Sequence, residues 1–256
     1  MSDRLSGRGE QGGGSDGPRA FVDLHCHSSA SFDSLSSPAD LVRVASERGL
    51  THLAITDHER IDGALEARER APDGLTVIVG EEIRSTECDI IGLFLERAVP
   101  PGLSPLETIA AIHEQGGVAG LPHPFDRFRL SGLRDGLATL PDQLAAQLDF
   151  VEAYNARMPF AGANRRAAEY AHAHGLPGVA SSDAHTLLEV GVAYTVLRGP
   201  IRDAEQLRRS LRVGCELVPG RASLVVRGMA PAAKLVQRIR GNRRVGPASA
   251  PPGASR

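Results

Sequence analysis

Several short apolar runs in this chain end in residue types that bind metals. His25 and His27 follow "FVDL", and Asp33 closes the serine-rich stretch behind them. Asp57 and His58 follow "LAIT", Glu81 and Glu82 follow "LTVIVG", His123 follows "VAGLP", and Asp183 and His185 flank Ala184 after "GVASS". Residues i and i+2 of a strand share a side, so His25 and His27 can grip one ion while Cys26 points the other way. That alternation argues against Cys26 as a nucleophile with histidine partners and makes it a small packing residue. Imidazole and carboxylate together suit Zn, Mn or Fe without any thiolate. So many ligand-rich strand ends imply more than one ion, with a shared carboxylate bridging two of them. Such a pair turns a water into hydroxide and clamps the oxygens of a phosphoryl group. Any one of these motifs alone is commonly just a polar strand end; their coincidence in consecutive units favours a metal site. Spacing leaves Glu81 and Glu82 as alternatives for the bridge. His113, His172 and His174 fall in helical stretches and His52 at a strand start, so these four read as surface or packing residues.

For such ends to meet, the strands that carry them must lie side by side. "AFVDLH", "LTHLAITDH", "LTVIVGEEI", "DIIGLFL", "VAGLPHP", "LDFVEAYN", "LPGVASSDAH" and "VAYTVL" read as strands, with "CELVPG" as a short last one. The third and fourth are close enough to form a hairpin. Helices lie between the strands. "SPADLVRVASERG" has Ser37 as N-cap, Pro38 at its first position and Gly49 past its end, and "SPLETIAAIHEQGG" opens on Ser104 and Pro105. "DGALEARERA", "ANRRAAEYAHAHG" and "DAEQLRRSLRVG" are the others, and a basic helix spans 229–240. Repeated strand–helix units imply a parallel sheet. In a β/α barrel the C-terminal strand ends converge on one mouth, where chemistry sits.

The totals agree with one barrel of 256 residues. Hydrophobic residues make up 41% but aromatics only 4%, with no Trp, so the core rests on Leu, Val, Ile and Ala. Lys and Arg number 29 against 31 Asp and Glu, a net charge of -2, which excludes a protein that coats DNA by broad charge neutralisation. Three widely spaced cysteines without a CxxC argue against a disulfide framework or a zinc ribbon and for a reducing, cytoplasmic compartment. The first twenty residues lack the apolar core of a secretory signal, and no run reaches the ~18 apolar residues of a membrane helix. The expected organisation is a disordered tail over 1–19, one domain over 20–241 and a second disordered tail over 242–256.

The motifs "DLHCHSSASFD", "LAITDH", "VGEEI", "LPHP", "VEAYN" and "ASSDAH", in that order, resemble the PHP (polymerase and histidinol phosphatase) family from about residue 20 to 200. The resemblance implies an α/β fold of PHP type, a distorted seven-stranded (β/α)7 TIM-like barrel with two or three divalent ions (Mn, Zn or Fe) at its mouth. It implies that His25, His27, Glu82 and Asp183 hold one ion, that Glu82 bridges to a second held by His123, and that Asp33, His58 and His185 hold a third. Glu82 takes the bridge rather than Glu81 because the family pattern reads glycine, any residue, glutamate. Many members carry histidine or cysteine where this chain has Asn155. Asparagine is a neutral, weak ligand, so the second ion is expected to be held loosely, or only when a substrate phosphate completes its shell.

The function this implies is a metal-dependent phosphoesterase acting on a nucleotide-like small molecule or the 5′ end of a short oligonucleotide. A 5′–3′ exonuclease of RNA or DNA oligonucleotides and a non-catalytic PHP interaction module are the alternatives. An amide hydrolase on a related barrel would use a carboxylated lysine, and the only lysine, Lys234, lies in the terminal helix. Asp57 and His185 are candidates to move a proton. Arg157 is the leading candidate to hold a phosphoryl oxygen. Ser28, Arg127 and Asn155 are further candidates for substrate binding, while Arg129 reads as a surface residue. No membrane contact and no obligate protein partner are expected, and the basic run "KLVQRIRGNRR" reads as a solvated helix face, with contact to RNA or an acidic partner as the alternative.

Overall fold

Local chemistry fixes several helix starts. Ser37 Oγ accepts from Asp40 N at 3.1 Å and caps α1 (Pro38–Glu47). Ser104 and Glu107 form a reciprocal capping box at α3 (Pro105–His113), and Asp203 accepts from Gln206 N at 2.8 Å to open α6 (Ala204–Val213). Each such cap satisfies backbone N–H groups that the helix itself leaves bare. The computed structural model describes residues 17–126, 142–223 and 230–244. The remaining helices are α2 (Asp62–Glu69), the one-turn α4 (Asp142–Ala145), α5 (Ala161–Ala173) and α7 (Ala230–Ile239). The sequence reading finds all of these but α4.

The strands are β1 (Arg19–Asp23), β2 (His52–Ile55), β3 (Thr76–Arg84), β4 (Asp89–Leu93), β5 (Val118–Leu121), β6 (Phe150–Asn155), β7 (Gly178–Ser181), β8 (Tyr194–Arg198) and β9 (Glu216–Val218). They form one sheet in the order β7-β6-β5-β4-β3-β2-β1-β8-β9. β1, β2 and β3 pair in parallel, as do β5, β6 and β7, while the β3–β4 hairpin inserts an antiparallel strand between the two sets. The sheet curls until its ends nearly meet. Beyond β1 and β7 the chain bridges Cys26 to Ala184, with His27 N donating to Ala184 O at 2.8 Å and Asp183 N to His25 O at 2.9 Å. Seven strands therefore wall a TIM-like barrel of the expected kind. The sheet has nine strands instead of seven, because β8 pairs antiparallel with β1 and carries β9 on its outer edge.

Two apolar clusters sandwich the wall. Val22, Leu24, Ile78, Ile91, Leu93, Val118, Phe150 and Val179 pack together within the barrel. Leu53, Ile55, Val77 and Val79 face the other way, onto Leu41 and Ala45 of α1 and Ile109 and Ile112 of α3. Burying each such aliphatic side chain stabilises the fold by roughly 1.5–3 kcal/mol. Gly120 lets the Phe150 ring cross the interior, since a Cβ there would lie 2.1 Å from the ring. Structure reaches a few residues into the stretches expected as tails. Arg19 already belongs to β1, and Asn242 and Arg244 are packed onto the barrel by their side-chain hydrogen bonds.

Candidate metal centre

The ends of β1, β2, β3, β5 and β7 bring His25, His27, His58, Glu82, His123, Asp183 and His185 into one buried cluster, and the turn after β1 adds Asp33. Their ligand atoms fall into three overlapping groups, each within 4.8 Å: His25, His27 and Asp183; His25, Glu82 and His123; and His27, Asp33, His58 and His185. Glu82 touches all three. Its Oε1 lies 3.0 Å from His123 Nε2, and its Oε2 lies 3.4, 3.3 and 3.2 Å from His25 Nε2, His27 Nε2 and His58 Nδ1. Yet Glu82 Oε2, His58 Nδ1 and Asp33 Oδ1 are buried with no hydrogen-bond partner among the described residues. A buried polar atom without a partner costs about 1–3 kcal/mol, and here several aim at common points. A donor set of this kind could hold cations.

Neighbours fix which ring nitrogen faces the centre. His185 Nδ1 donates to Asp183 O at 2.9 Å, so the Nε2 lone pair is left free to ligate. His25 Nδ1 donates to Glu152 Oε1 at 3.1 Å and leaves its Nε2 facing the cluster. Glu152 also accepts from His123 N at 2.8 Å. A carboxylate behind a ligating imidazole holds its tautomer and raises its basicity. Sequence reading misses Glu152; the available signal was an acid inside the otherwise apolar run "FVEAY". The β6–β7 register shifts between Glu152 and Tyr154, which lets Glu152 and Asn155 approach the same centre.

Charge explains the titration of the site. Burial alone would depress His25, but Asp183 and Glu152 overrule it and hold the imidazole well above its usual value. Burial likewise opposes the shift at His27, where the nearby Asp183 and Glu82 carboxylates push it up to about 9. Burial works against ionisation of Glu82, but His58 and His123 prevail and keep it well below the carboxylate range. His185 goes the other way, down to about 3, through burial and the nearby Arg157 cation. Cations bound at the centre would offset the charge of its carboxylates. Strain also concentrates here: His123 and Asp183 hold φ values of 28° and 52°, a region most non-glycine residues avoid.

Glu81 points away from the centre, where its Oε2 accepts from Val99 N at 2.8 Å. Cys26 packs in the outer apolar cluster. Three of the expected site residues are engaged in hydrogen bonds within the fold. Asp57 and Ser28 do not face the open site: Asp57 Oδ1 and Oδ2 accept from Ser28 N and Ser28 Oγ, both at 2.6 Å, and both residues are fully buried. They brace the turn after His27. Asn155 is likewise engaged: its Nδ2 donates to Glu152 Oε2 at 2.9 Å and Asp183 Oδ2 at 3.1 Å, and its Oδ1 accepts from Arg157 N at 2.8 Å. Arg127 and Arg129 lie outside the described residues. His52 bonds Ile201 O at 2.8 Å and His113 bonds Asp149 at 3.0 Å, both away from the centre.

A cavity of about 350 Å³ opens beside the cluster. Asp33, His185 and Arg157 meet it on one side, and Leu35, Leu188 and Val236 on another. Arg157 is nearly buried there, with its guanidinium 3.5 Å from Glu189 Oε2. Glu189, also missed from sequence, accepts from His185 N and Thr186 N at 3.0 Å each and so shapes the loop that carries His185.

Residues 23–119 match the family description "PHP domain", and residues 161–215 match "PHP-associated". An uncharacterised protein of Methanocaldococcus jannaschii is 40% identical over 146 residues, covering 53% of this chain and 81% of that protein. The 5′-3′ exoribonuclease of Haemophilus influenzae is 36% identical over 131 residues, 46% of each chain, so the match spans less than half of that enzyme. A solved two-domain protein from Bacteroides vulgatus, described as containing a predicted PHP-like metal-dependent phosphoesterase, superposes with a TM-score of 0.65 at 18% identity. The superposition covers 80% of this chain and 66% of that one, and the likeness is one of fold.

Proposed function

The chain belongs to the PHP domain family, and from that premise we propose that it hydrolyses phosphate esters with the help of two or three divalent ions. The observation that carries this reading is Glu82, a fully buried carboxylate within 3.4 Å of four histidines, with Oε2 bonded to none of them. In this reading His25, His27, Glu82 and Asp183 hold one ion, Glu82 and His123 a second, and Asp33, His58 and His185 a third. Mn, Zn and Fe all suit such ligands. Bound there, the ions would acidify a water and neutralise charge on the phosphoryl oxygens.

The chain's own residues supply the rest. Glu152 holds His25 in the ligating tautomer. Asn155 clamps Glu152 and Asp183 together in place of a further ligand. Arg157 faces the cavity beside Asp33 and His185 and is placed to bind a non-bridging phosphoryl oxygen. His185, with Nδ1 committed to a carbonyl and Nε2 to the centre, serves as a ligand and not as the proton carrier. Asp57 keeps the Ser28 turn in place. The substrate is a nucleotide-like small molecule or the 5′ end of a short oligonucleotide. The exoribonuclease relative favours the second, as a 5′–3′ exonuclease reading. A non-catalytic module would have no use for a ligand set this complete. The phosphoesterase domain is read as 20–241.

Phosphate release from manganese-loaded protein, measured across nucleotides and 5′-phosphorylated oligonucleotides, tests the proposal. The His25→Ala/His27→Ala variant should lose at least about 100-fold in rate. An unchanged rate in that variant would overturn the assignment.

A further inference from the structure

α7 lies outside both stretches that match the family descriptions, yet the C-terminal segment is fastened to the turn that carries Asp33. Gln237 is 2% exposed, and its Nε2 points at three carbonyls: Ser29 O at 2.7 Å, Ser31 O at 2.9 Å and Ser34 O at 2.6 Å. Two N–H bonds over three acceptors means that one is shared. Asn242 adds Nδ2 contacts to Ala30 O at 2.9 Å, Ser31 O at 3.2 Å and Ser29 O at 3.4 Å. Arg244 Nε donates to Glu59 Oε1 at 2.9 Å. Its guanidinium sits 5.5 Å over the Phe32 ring, which in turn packs 4.9 Å from the His58 ring.

The turn 29–34 has little ladder of its own to satisfy its carbonyls, and buried carbonyls need donors. The C-terminal segment provides them. The same turn governs ligands: Ser31 Oγ bonds His27 Nδ1 at 3.1 Å and accepts from His58 N at 3.1 Å, and Asp33 stands at the turn's end. Two of the three ligands assigned to one ion position, Asp33 and His58, are therefore set by a turn that Gln237 and Asn242 hold from outside.

We propose that Gln237, supported by Asn242 and Arg244, is a positioning residue for the ion held by Asp33, His58 and His185, and that occupancy of this position depends on the C-terminal segment. The proposal rests on the ion-binding reading of the cluster. None of the three residues touches the ion; they act through the turn.

Manganese titration calorimetry of the full chain, together with bound-metal analysis after desalting, tests it. Gln237→Met keeps length and removes the donors; Gln237→Lys restores donors. In Gln237→Met the ion equivalent held by Asp33, His58 and His185 should bind about 10- to 100-fold more weakly, the equivalent that His27 shares should change less, and Gln237→Lys should recover much of the loss. Asn242→Ala, at a half-buried position, should weaken the same equivalent by a smaller factor. Wild-type-like binding in both Gln237→Met and Asn242→Ala would overturn the proposal. So would a uniform loss of all ions in step with a fall in melting temperature, which would mean a merely structural role. Wild-type protein that binds no manganese would overturn the ion-binding reading itself.

Discussion

Adjacent glutamates show how finely side-chain direction divides roles. Ile78 and Glu82 share the barrel-interior face of β3, while Val77, Val79 and Glu81 share the outer one. Sequence parity could not decide between the two acids, because nothing in "LTVIVGEEI" says which face is inside; the family pattern pointed to Glu82. Burial pushes the Glu81 carboxyl up from 4.5 to about 8. The folded state thus binds this proton more tightly than the unfolded one. Its contribution to stability is complete below about pH 4.5 and fades as pH rises towards 8. Glu81→Gln mimics the protonated form and keeps an acceptor for Val99 N. Its melting temperature should exceed wild type by an amount that is smallest near pH 5 and grows by on the order of several degrees by about pH 8.5. A difference that stays flat with pH would contradict the raised value. Ion content in this variant should match wild type.

At the scale of elements, helix caps, the strand run and the β3–β4 hairpin were legible because apolar periodicity and Ser-Pro starts are local signals. The residues that were missed depend on irregularity. β1 changes phase after Leu24: Leu24 joins the interior cluster, Cys26 the outer one, and His25 and His27 face the centre. Glu152 approaches the site through the β6 bulge, and Glu189 acts from a loop. Ser28 and Asp57 looked like site residues because they sit beside ligands in sequence, yet they form a brace against α2. Gly63 of α2 fits against that brace only for want of a side chain, since a Cβ would lie 2.2 Å from both Asp57 Oδ2 and Ser28 Oγ. Gly63→Ala should destabilise the protein by about 1–3 kcal/mol and weaken ion binding, read by denaturant unfolding and manganese titration. Ser104→Ala, which removes an exposed cap far from the centre, should cost about 1 kcal/mol and leave ion binding intact. The reverse pattern would show that the turn after His27 does not depend on the brace.

Across the whole molecule, the centre joins ends of strands that are far apart in sequence, and its closing contact runs from the β1 extension to the β7 extension. Ions held there, as proposed, would link both sides of the barrel seam and stabilise the folded chain by mass action. Manganese at 100 times its dissociation constant should add about 2.7 kcal/mol per independent site, and a chelator should lower the melting temperature by at least about 5 °C. No helix of the described residues is long and apolar enough to cross a membrane. On the proposed reading, Glu82 joins these ligands into an ion centre that hydrolyses phosphate esters. The most direct test of that reading is a manganese titration of metal-free wild type and Glu82→Gln, following bound manganese and phosphate release together. Wild type should bind at least two ions per chain, with release rising in step, and Glu82→Gln should lose an ion and at least about 100-fold in rate. Equal binding and equal release in the two proteins would contradict the account.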